Sequence, residues 1–284
     1  MEHGGGLGMG LFGRKRKEEK TTDKWVELGW DLRDSERYEE AINCYDKALE
    51  IDPENVDAWF WKGAAFSELE KYEEAIKCLD RDMVLGDSSY AVIARLRKGK
   101  ILQALERYEE AINCYDEALE INPEGVAAWF QKGFCLSFNL GKYEEAIPCF
   151  DKALEIDPEN GDAWFGKGYA LENLRPISRE ALECFDNATE VDPMNYLAWH
   201  HKGDLLCALE KYEEAITCSD KALEIYTGLT ESGYESASLY FNIGNCYFKQ
   251  GELGYAILYY LRAKRLDPND DDINANLDFA RQFM

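Results

Sequence analysis

A chain that repeats itself at a fixed period folds as a stack of similar units, because each unit must bury the same face against the next copy. Here the string RYEEAINCYDKALEIDP at 37–53 returns as RYEEAINCYDEALEINP at 107–123 and as KYEEAIPCFDKALEIDP at 142–158. A second string recurs between the copies: AWFWKG at 58–63, AWFQKG at 128–133, AWFGKG at 163–168 and AWHHKG at 198–203. The glycines Gly29, Gly63, Gly99, Gly133, Gly168 and Gly203 stand 34 to 36 residues apart, and Gly244 follows after 41. Anchored on them, seven units span 22–55, 56–91, 92–125, 126–160, 161–195, 196–236 and 237–270.

Each unit splits into two helical patterns. In the fourth, Trp129, Lys132, Gly133 and Leu136 fall at i, i+3, i+4 and i+7, and Ala146, Phe150 and Ala153 at i, i+4 and i+7, each marking one face of a helix. Pro53, Pro123, Pro158, Pro193 and Pro268 close most units, since proline cannot continue a helix and disfavours helix in the residue before it. A glycine inside a helix costs roughly 1 kcal/mol against alanine. The recurrent glycine therefore predicts a close approach by the partner helix, which Ala41, Ala75, Ala111, Ala146, Ala181, Ala215 and Ala256 assist from the other side. Trp59, Trp129, Trp164 and Trp199 are expected to fill the space between helix pairs.

This set of residues, Trp, Lys, Gly and Leu or Tyr, then Tyr, Ala, Phe or Tyr, Ala and Pro, resembles the tetratricopeptide repeat signature over residues 22–270. The resemblance implies an all-α, right-handed superhelical solenoid whose first helices line a concave groove that docks peptides or proteins. Residues 271–284 read as a capping helix, with Ile273, Leu277, Phe279 and Ala280 covering the last repeat. Residues 1–21, rich in glycine and then basic, read as a flexible tail.

The repeats also disagree. The second holds Asp82 at the usual alanine position, where an unpaired buried carboxylate costs about 1–3 kcal/mol, and Gly86-Asp87-Ser88 in place of the closing proline. The sixth runs long through Tyr226–Ser236, consistent with an extended second helix and a longer loop. Early protease cuts are expected at 84–90 or 226–236. Repeats four and five gain a residue between helices, near Gly141 and near Pro176, and Ser178 replaces a tyrosine.

A second face of each first helix, spaced i, i+4 and i+7 beside the core face, is the groove face by resemblance. It reads Phe60, Ala64 and Ser67; Leu96, Lys100 and Gln103; Phe130, Phe134 and Ser137; Phe165, Tyr169 and Glu172; His200, Asp204 and Cys207; then Phe241, Asn245 and Phe248. Arg97 lies beside this face, and Arg95, Arg97, Lys98 and Lys100 form a basic patch. Rings with one cationic spot suit an extended peptide carrying apolar side chains and a carboxylate, although single rings also pack between helices and a basic patch also reads as a solvated, ion-paired face. A Lys/Asn/Arg clamp for a terminal carboxylate, a mode of the family, is absent at the matching positions of repeats one to three. They hold Val26, Trp30, Trp61, Ile93 and Arg97, of which only Arg97 fits.

Motifs for chemistry fail on context. Gly8–Gly13 matches G-x-G-x-x-G without the βαβ unit a dinucleotide site needs. Cys44, Cys78, Cys114, Cys149, Cys184 and Cys218 form a column of small buried residues. Their helix-to-helix spacing, roughly 8–10 Å, exceeds disulfide reach. His200, Asp204 and Cys207 spread along a helix too far for a nucleophile pair, and Asp267, Asn269 and Asp271 lack the glycine and final glutamate of a calcium loop. No cofactor, metal site or catalysis is expected.

Lys and Arg number 32 against 56 Asp and Glu, a net charge of −24 that disfavours nucleic acid and anionic membrane and favours a basic or mixed polypeptide. No apolar run reaches a membrane span, and nine cysteines without a C-x-x-C pair suggest a reducing, cytoplasmic setting. The expectation is a monomeric or weakly associating scaffold that binds a protein or peptide. A subunit recruiting substrates to an enzyme encoded elsewhere, and an RNA-binding helical repeat, remain open alternatives.

Overall fold

The computed structural model describes residues 8–85, 90–229 and 236–283, with side chains from Thr21 onward. It comprises two compact units, Met1–Cys135 and Leu136–Met284. Among the described residues every regular element is a helix.

The first unit contains α1 (Gly8–Asp34), α2 (Tyr38–Ile51), α3 (Val56–Glu68), α4 (Tyr72–Leu85), α5 (Ala91–Ala104), α6 (Tyr108–Ile121) and α7 (Val126–Phe134). The second contains α8 (Tyr143–Ile156), α9 (Gly161–Leu174), α10 (Arg179–Val191), α11 (Tyr196–Ala208), α12 (Tyr212–Leu229), α13 (Ala237–Gln250), α14 (Leu253–Leu266) and α15 (Asp271–Arg281). A π-helical turn, Cys135–Asn139, follows α7. Within each unit a helix packs chiefly on its sequence neighbours, and first helices meet first helices, α1 with α3, α3 with α5 and α11 with α13. That nearest-neighbour pattern is the solenoid the repeat predicts.

The recurring residues act locally. Asn55, Asn160, Asn195 and Asp270 cap the first helices, each Oδ1 accepting from the backbone N–H three residues on at 2.8–3.0 Å. The Asp or Asn before each of the five unit-closing prolines accepts from the N–H two residues on, as in Asp52 with Glu54 at 3.2 Å. The Trp59, Trp129, Trp164 and Trp199 indole N–H groups donate to the carbonyls of Pro53, Pro123, Pro158 and Pro193 at 2.9–3.0 Å, so each tryptophan pins a turn as well as filling space. The glycine prediction holds: a Cβ at Gly29 or Gly99 would overlap the Tyr45 or Tyr115 ring of the second helix. All six column cysteines are buried, and burial pushes the Cys78 and Cys114 thiols up to about 11.

A ladder not foreseen from the sequence links neighbouring repeats. Lys62 pairs with Asp46, Lys98 with Asp80, Lys132 with Asp116, Lys167 with Asp151 and Lys202 with Asp186, at 2.5–2.8 Å. Each lysine belongs to a first helix and each aspartate to the second helix of the preceding repeat.

Several expectations change. Residues 8–21, expected as tail, continue α1, in keeping with the helix-favouring run Arg14–Lys20; residues 1–7 lie outside the described residues. Asp82 is fully buried on α4. Most of the expected junctions, residues 86–89 and 230–235, also lie outside the described residues, while the sixth repeat does extend its second helix to Leu229. The extra residue of repeat four sits inside the first helix, as the π turn, and not near Gly141. In repeat five the extra residue widens the loop before Ser178, whose hydroxyl caps α10 by accepting from Ala181 N at 3.2 Å. Of the four residues expected to cover the last repeat, Ile273, Leu277 and Ala280 are buried, but Phe279 stays 50% exposed because it points along the first-helix face.

Candidate binding cavity

In the first unit the expected groove residues do not form one open strip. Phe60 is only 1% exposed, stacked on Tyr90 with centroids 4.4 Å apart, so it serves packing and offers no free face. Leu96 is half-buried and packs against the core. Arg97 lies 5.8 Å from the Phe60 centroid and 4.0 Å from Glu68, Arg95 pairs with Glu117 at 3.2 Å, and Lys98 belongs to the ladder. The basic patch is thus mainly ion-paired, with Lys100 exposed at its edge. Phe130 and Phe134 are half-buried, their centroids 6.1 Å apart.

In the second unit the corresponding rings cluster. Tyr169 stacks on Phe138 at 4.3 Å, and Phe165 lies 6.0 Å from Phe138 and 5.6 Å from His201. His201 Nδ1 is 2.8 Å from Glu172 Oε2. Phe241 packs on Tyr260 at 5.8 Å. These rings are half-buried by one another.

Beyond them the first-helix face opens into a cavity of about 450 Å³ between α11, α13 and α15. Asp204 and Cys207 enter from α11, Asn242, Asn245, Phe248 and Lys249 from α13, Tyr260 from α14, and Asn276 and Phe279 from α15. Asn242 Nδ2 donates to Asp204 Oδ1 at 2.5 Å. Asn245 Oδ1 accepts twice, from Tyr260 Oη at 2.8 Å and from Asn276 Nδ2 at 3.0 Å. Among the described residues this leaves the Asn245 amide hydrogens and the Asn242 and Asn276 carbonyl oxygens without a hydrogen-bond partner. The Phe248 and Phe279 rings stand 5.7 Å apart.

Two groups on α11 are perturbed. His200 lies 3.7 Å from Asp204, yet burial and the neighbouring His201 lower it to about 4, so it is neutral near pH 7. Burial raises the Asp204 carboxyl to about 7; Glu172 adds to the rise, while His201 and the Asn242 hydrogen bond oppose it. The Cys207 thiol is held below the usual thiol range and the Cys246 thiol above it, each chiefly by the other. Among the described residues no group of three His, Cys, Asp or Glu is arranged to hold a metal ion, and no helix is long and apolar enough to cross a membrane.

Of the predicted site residues, the cavity gathers Asp204 and Asn245, whereas His200 and Phe241 lie beside it. Sequence reasoning missed Asn242, Lys249, Asn276 and Phe279. Asn242 and Asn276 follow the first residue of the predicted face by one position, a rotation of about 100° on a helix. The available signal was the variation at that position, which reads Trp61, Arg97, Gln131, Gly166, His201, Asn242 and Asn276 beside a nearly constant Lys-Gly.

Sequence models of the tetratricopeptide repeat match residues 29–69, 92–124, 126–160, 149–179 and 196–269, together more than half of the chain. A protein prenyltransferase alpha subunit repeat model matches 178–209. A search of curated proteins returns no significant match. Among solved structures, YrrB, described as a TPR protein with an unusual peptide-binding site, is 29% identical over 66% of this chain and 96% of its own, with a TM-score of 0.55. A tetratricopeptide repeat protein from Parabacteroides merdae matches 92% of this chain and 99% of its own at 20% identity and a TM-score of 0.62. The C-terminal part of a TPR repeat-containing protein from Cytophaga hutchinsonii matches 89% and 99% at 19% identity and a TM-score of 0.70; these two likenesses speak for the fold alone. Repeat period, helix pairing, glycine-to-ring packing and sequence models agree: the chain belongs to the tetratricopeptide repeat family.

Proposed function

We propose that this protein is a non-catalytic scaffold that binds an extended segment of a partner protein in the cavity between α11, α13 and α15. The observation that carries this reading is the set of amide groups in a cavity of about 450 Å³ whose donors and acceptors are only partly used within the protein. An extended peptide presents N–H and C=O groups in alternation, and side-chain amides match both. Phe248 and Phe279 add apolar area of the kind that anchors a bound side chain. The likeness to YrrB, whose description includes a peptide-binding site, supports peptides as the ligand class.

Selection of a random-peptide display library on the whole chain tests the reading. Recovered peptides should lose at least about tenfold in affinity on Asn245→Ala or Phe279→Ala, with the circular dichroism of each variant unchanged. Recovery of no peptide, or peptides indifferent to both substitutions, would remove this cavity as the site.

A further inference from the structure

One carboxyl in the cavity, that of Asp204, forms no ion pair with a lysine or arginine among the described residues. Among the residues equivalent to Asp204, the other seven are Trp30, Ala64, Lys100, Phe134, Tyr169, Asn245 and, in α15, Phe279, so an acid here is a departure from the repeat. The side chain of Asp204 is 34% exposed and opens on the cavity. Its Oδ1 is held by Asn242, and its Oδ2 lies 3.7 Å from His200 Nε2. The other titratable groups around it are His201 and Cys207 on α11, Glu172 on α9, Cys246 and Lys249 on α13, and Tyr260 on α14. His201 is engaged by Glu172 at 2.8 Å. Lys249 is exposed at the rim and forms no ion pair with Asp204 among the described residues.

We propose that the cavity accepts a lysine or arginine side chain of the bound peptide, with its stem against Phe248 and Phe279 and its charged head on the Asp204 carboxylate. This rests on the peptide-binding reading above and names the chemistry of the ligand. An acid on the floor and aromatic rings on the wall suit a cation with an apolar stem, since ring faces attract positive charge. An anionic guest would instead meet Asp204 with only Lys249 to answer it. The net charge of −24 raises the local concentration of basic segments around the whole chain.

The binding should be pH-dependent with a definite sign. The empty site holds Asp204 near half-protonation at pH 7, and a cation binds the ionised form. Affinity therefore rises with pH through about 7 and is lost below it. The apparent dissociation constant scales inversely with the ionised fraction, which gives about a tenfold gain between about pH 6 and about pH 8, with a proton released on binding.

The test uses the whole chain and three display libraries with random flanks around a fixed Arg, Gln or Glu. The Arg library should yield the strongest binders, and calorimetry on a recovered Arg peptide should show the tenfold rise with pH. Asp204→Asn, which keeps the size of the side chain and an acceptor for Asn242, should abolish both the preference for Arg and the pH dependence. Arg peptides that bind this variant as well as wild type, or whose affinity does not change with pH, would overturn the assignment. Gln or Glu binders of equal strength that are lost on Asn245→Ala would overturn the cation while leaving the peptide site standing. No binder from any library would remove both.

Discussion

Gly168→Ala sets two contributions against each other at one helical position. Gly168 lies inside α9, where alanine gains about 1 kcal/mol in helix propensity. A Cβ there would stand 2.7 Å from Cε1 and 2.9 Å from Cδ1 of Phe185, and 3.2 Å from Cys184 Cβ. Carbon atoms pack at about 3.5–4.0 Å, so the ring or the helix must withdraw by close to 1 Å. The ring has little room to do so, because it is fully buried between Phe165 and His201, at centroid distances of 6.1 and 5.7 Å. Overpacking a close-packed core costs about 1–3 kcal/mol, and a contact below 3.0 Å belongs in the upper half of that range. The net expectation is a loss of about 1–2 kcal/mol.

Gly228→Ala in α12 is the internal control. Among the described residues, nothing outside its own helix backbone lies within 4 Å of its added Cβ, so helix propensity dominates, and a gain of up to about 1 kcal/mol is expected, reduced by its place near the helix end. Thermal unfolding followed by circular dichroism should lower the midpoint for Gly168→Ala by a few degrees and leave it unchanged or raised for Gly228→Ala. Because a solenoid need not unfold in one step, amide exchange in α9 and α10 should report the Gly168 loss locally. A Gly168→Ala protein as stable as wild type would refute the claim that the conserved spacing of glycines records ring-to-helix contact.

Two further outcomes follow from repeated geometry. Glu106 adopts φ 58, a left-handed conformation that costs a non-glycine residue about 1–2 kcal/mol, and Gly141 and Gly251 hold the corresponding turns at φ 63 and 82. Glu106→Gly should therefore raise stability by about 0.5–1 kcal/mol in denaturant titration, net of the entropy glycine loses on folding. For the ladder, a double-mutant cycle of Lys167→Met and Asp151→Asn should give a coupling of at most about 1 kcal/mol, since the aspartate is 50% exposed, and the coupling should shrink in high salt.

The fold was legible because its determinants are local and repeated. Pro53 and Asn55 act within a few residues of chain, Trp59 ties back to Pro53, and Gly63 meets Leu79 of its own helix pair, and repetition along the chain averages out the exceptions. Legibility failed where one residue changes geometry without changing composition. The insertion in repeat four reads in sequence as a longer loop, because the spacing of ten residues from Gly133 to Tyr143, against nine from Gly63 to Tyr72, does not by itself say where the extra residue sits. Only the structure shows that the turn is kept and the extra residue lies in Cys135–Asn139. The ladder escaped notice because Lys132 falls on the core face by periodicity, and its charge is met by Asp116 from the previous repeat. Phe60 and Phe130 occupy equivalent positions two repeats apart, yet Phe60 is buried while Phe130 is half-buried, and Tyr90 stacks on Phe60.

The second unit shows how one scaffold changes from a closed face to a receptive one. At the position before the ladder lysine, Gly166 leaves space that the Phe150 ring occupies, and His201 lies nearly parallel to Phe185 at an interplanar angle of 23°. Rings used in this way have most of their contact area committed to the protein. In α13 and α15 the same position holds Asn242 and Asn276, which are too small to reach across and are tied down by single amide hydrogen bonds. The ladder stops at the same place, for Ile243 stands where repeats two to six carry lysine, and burial raises the Asp220 carboxyl. Loss of the ladder and gain of the amides therefore coincide in the last repeat. Half-used amides hold a cavity open at low cost, because water satisfies their remaining donors and acceptors until a backbone with matching groups replaces it. A ring-lined surface must instead close on itself or find an apolar partner. Under the proposed function, that difference, written in two asparagines and one isoleucine, favours the cavity at α13 and α15 over the aromatic cluster at Phe165 as the place where a partner docks.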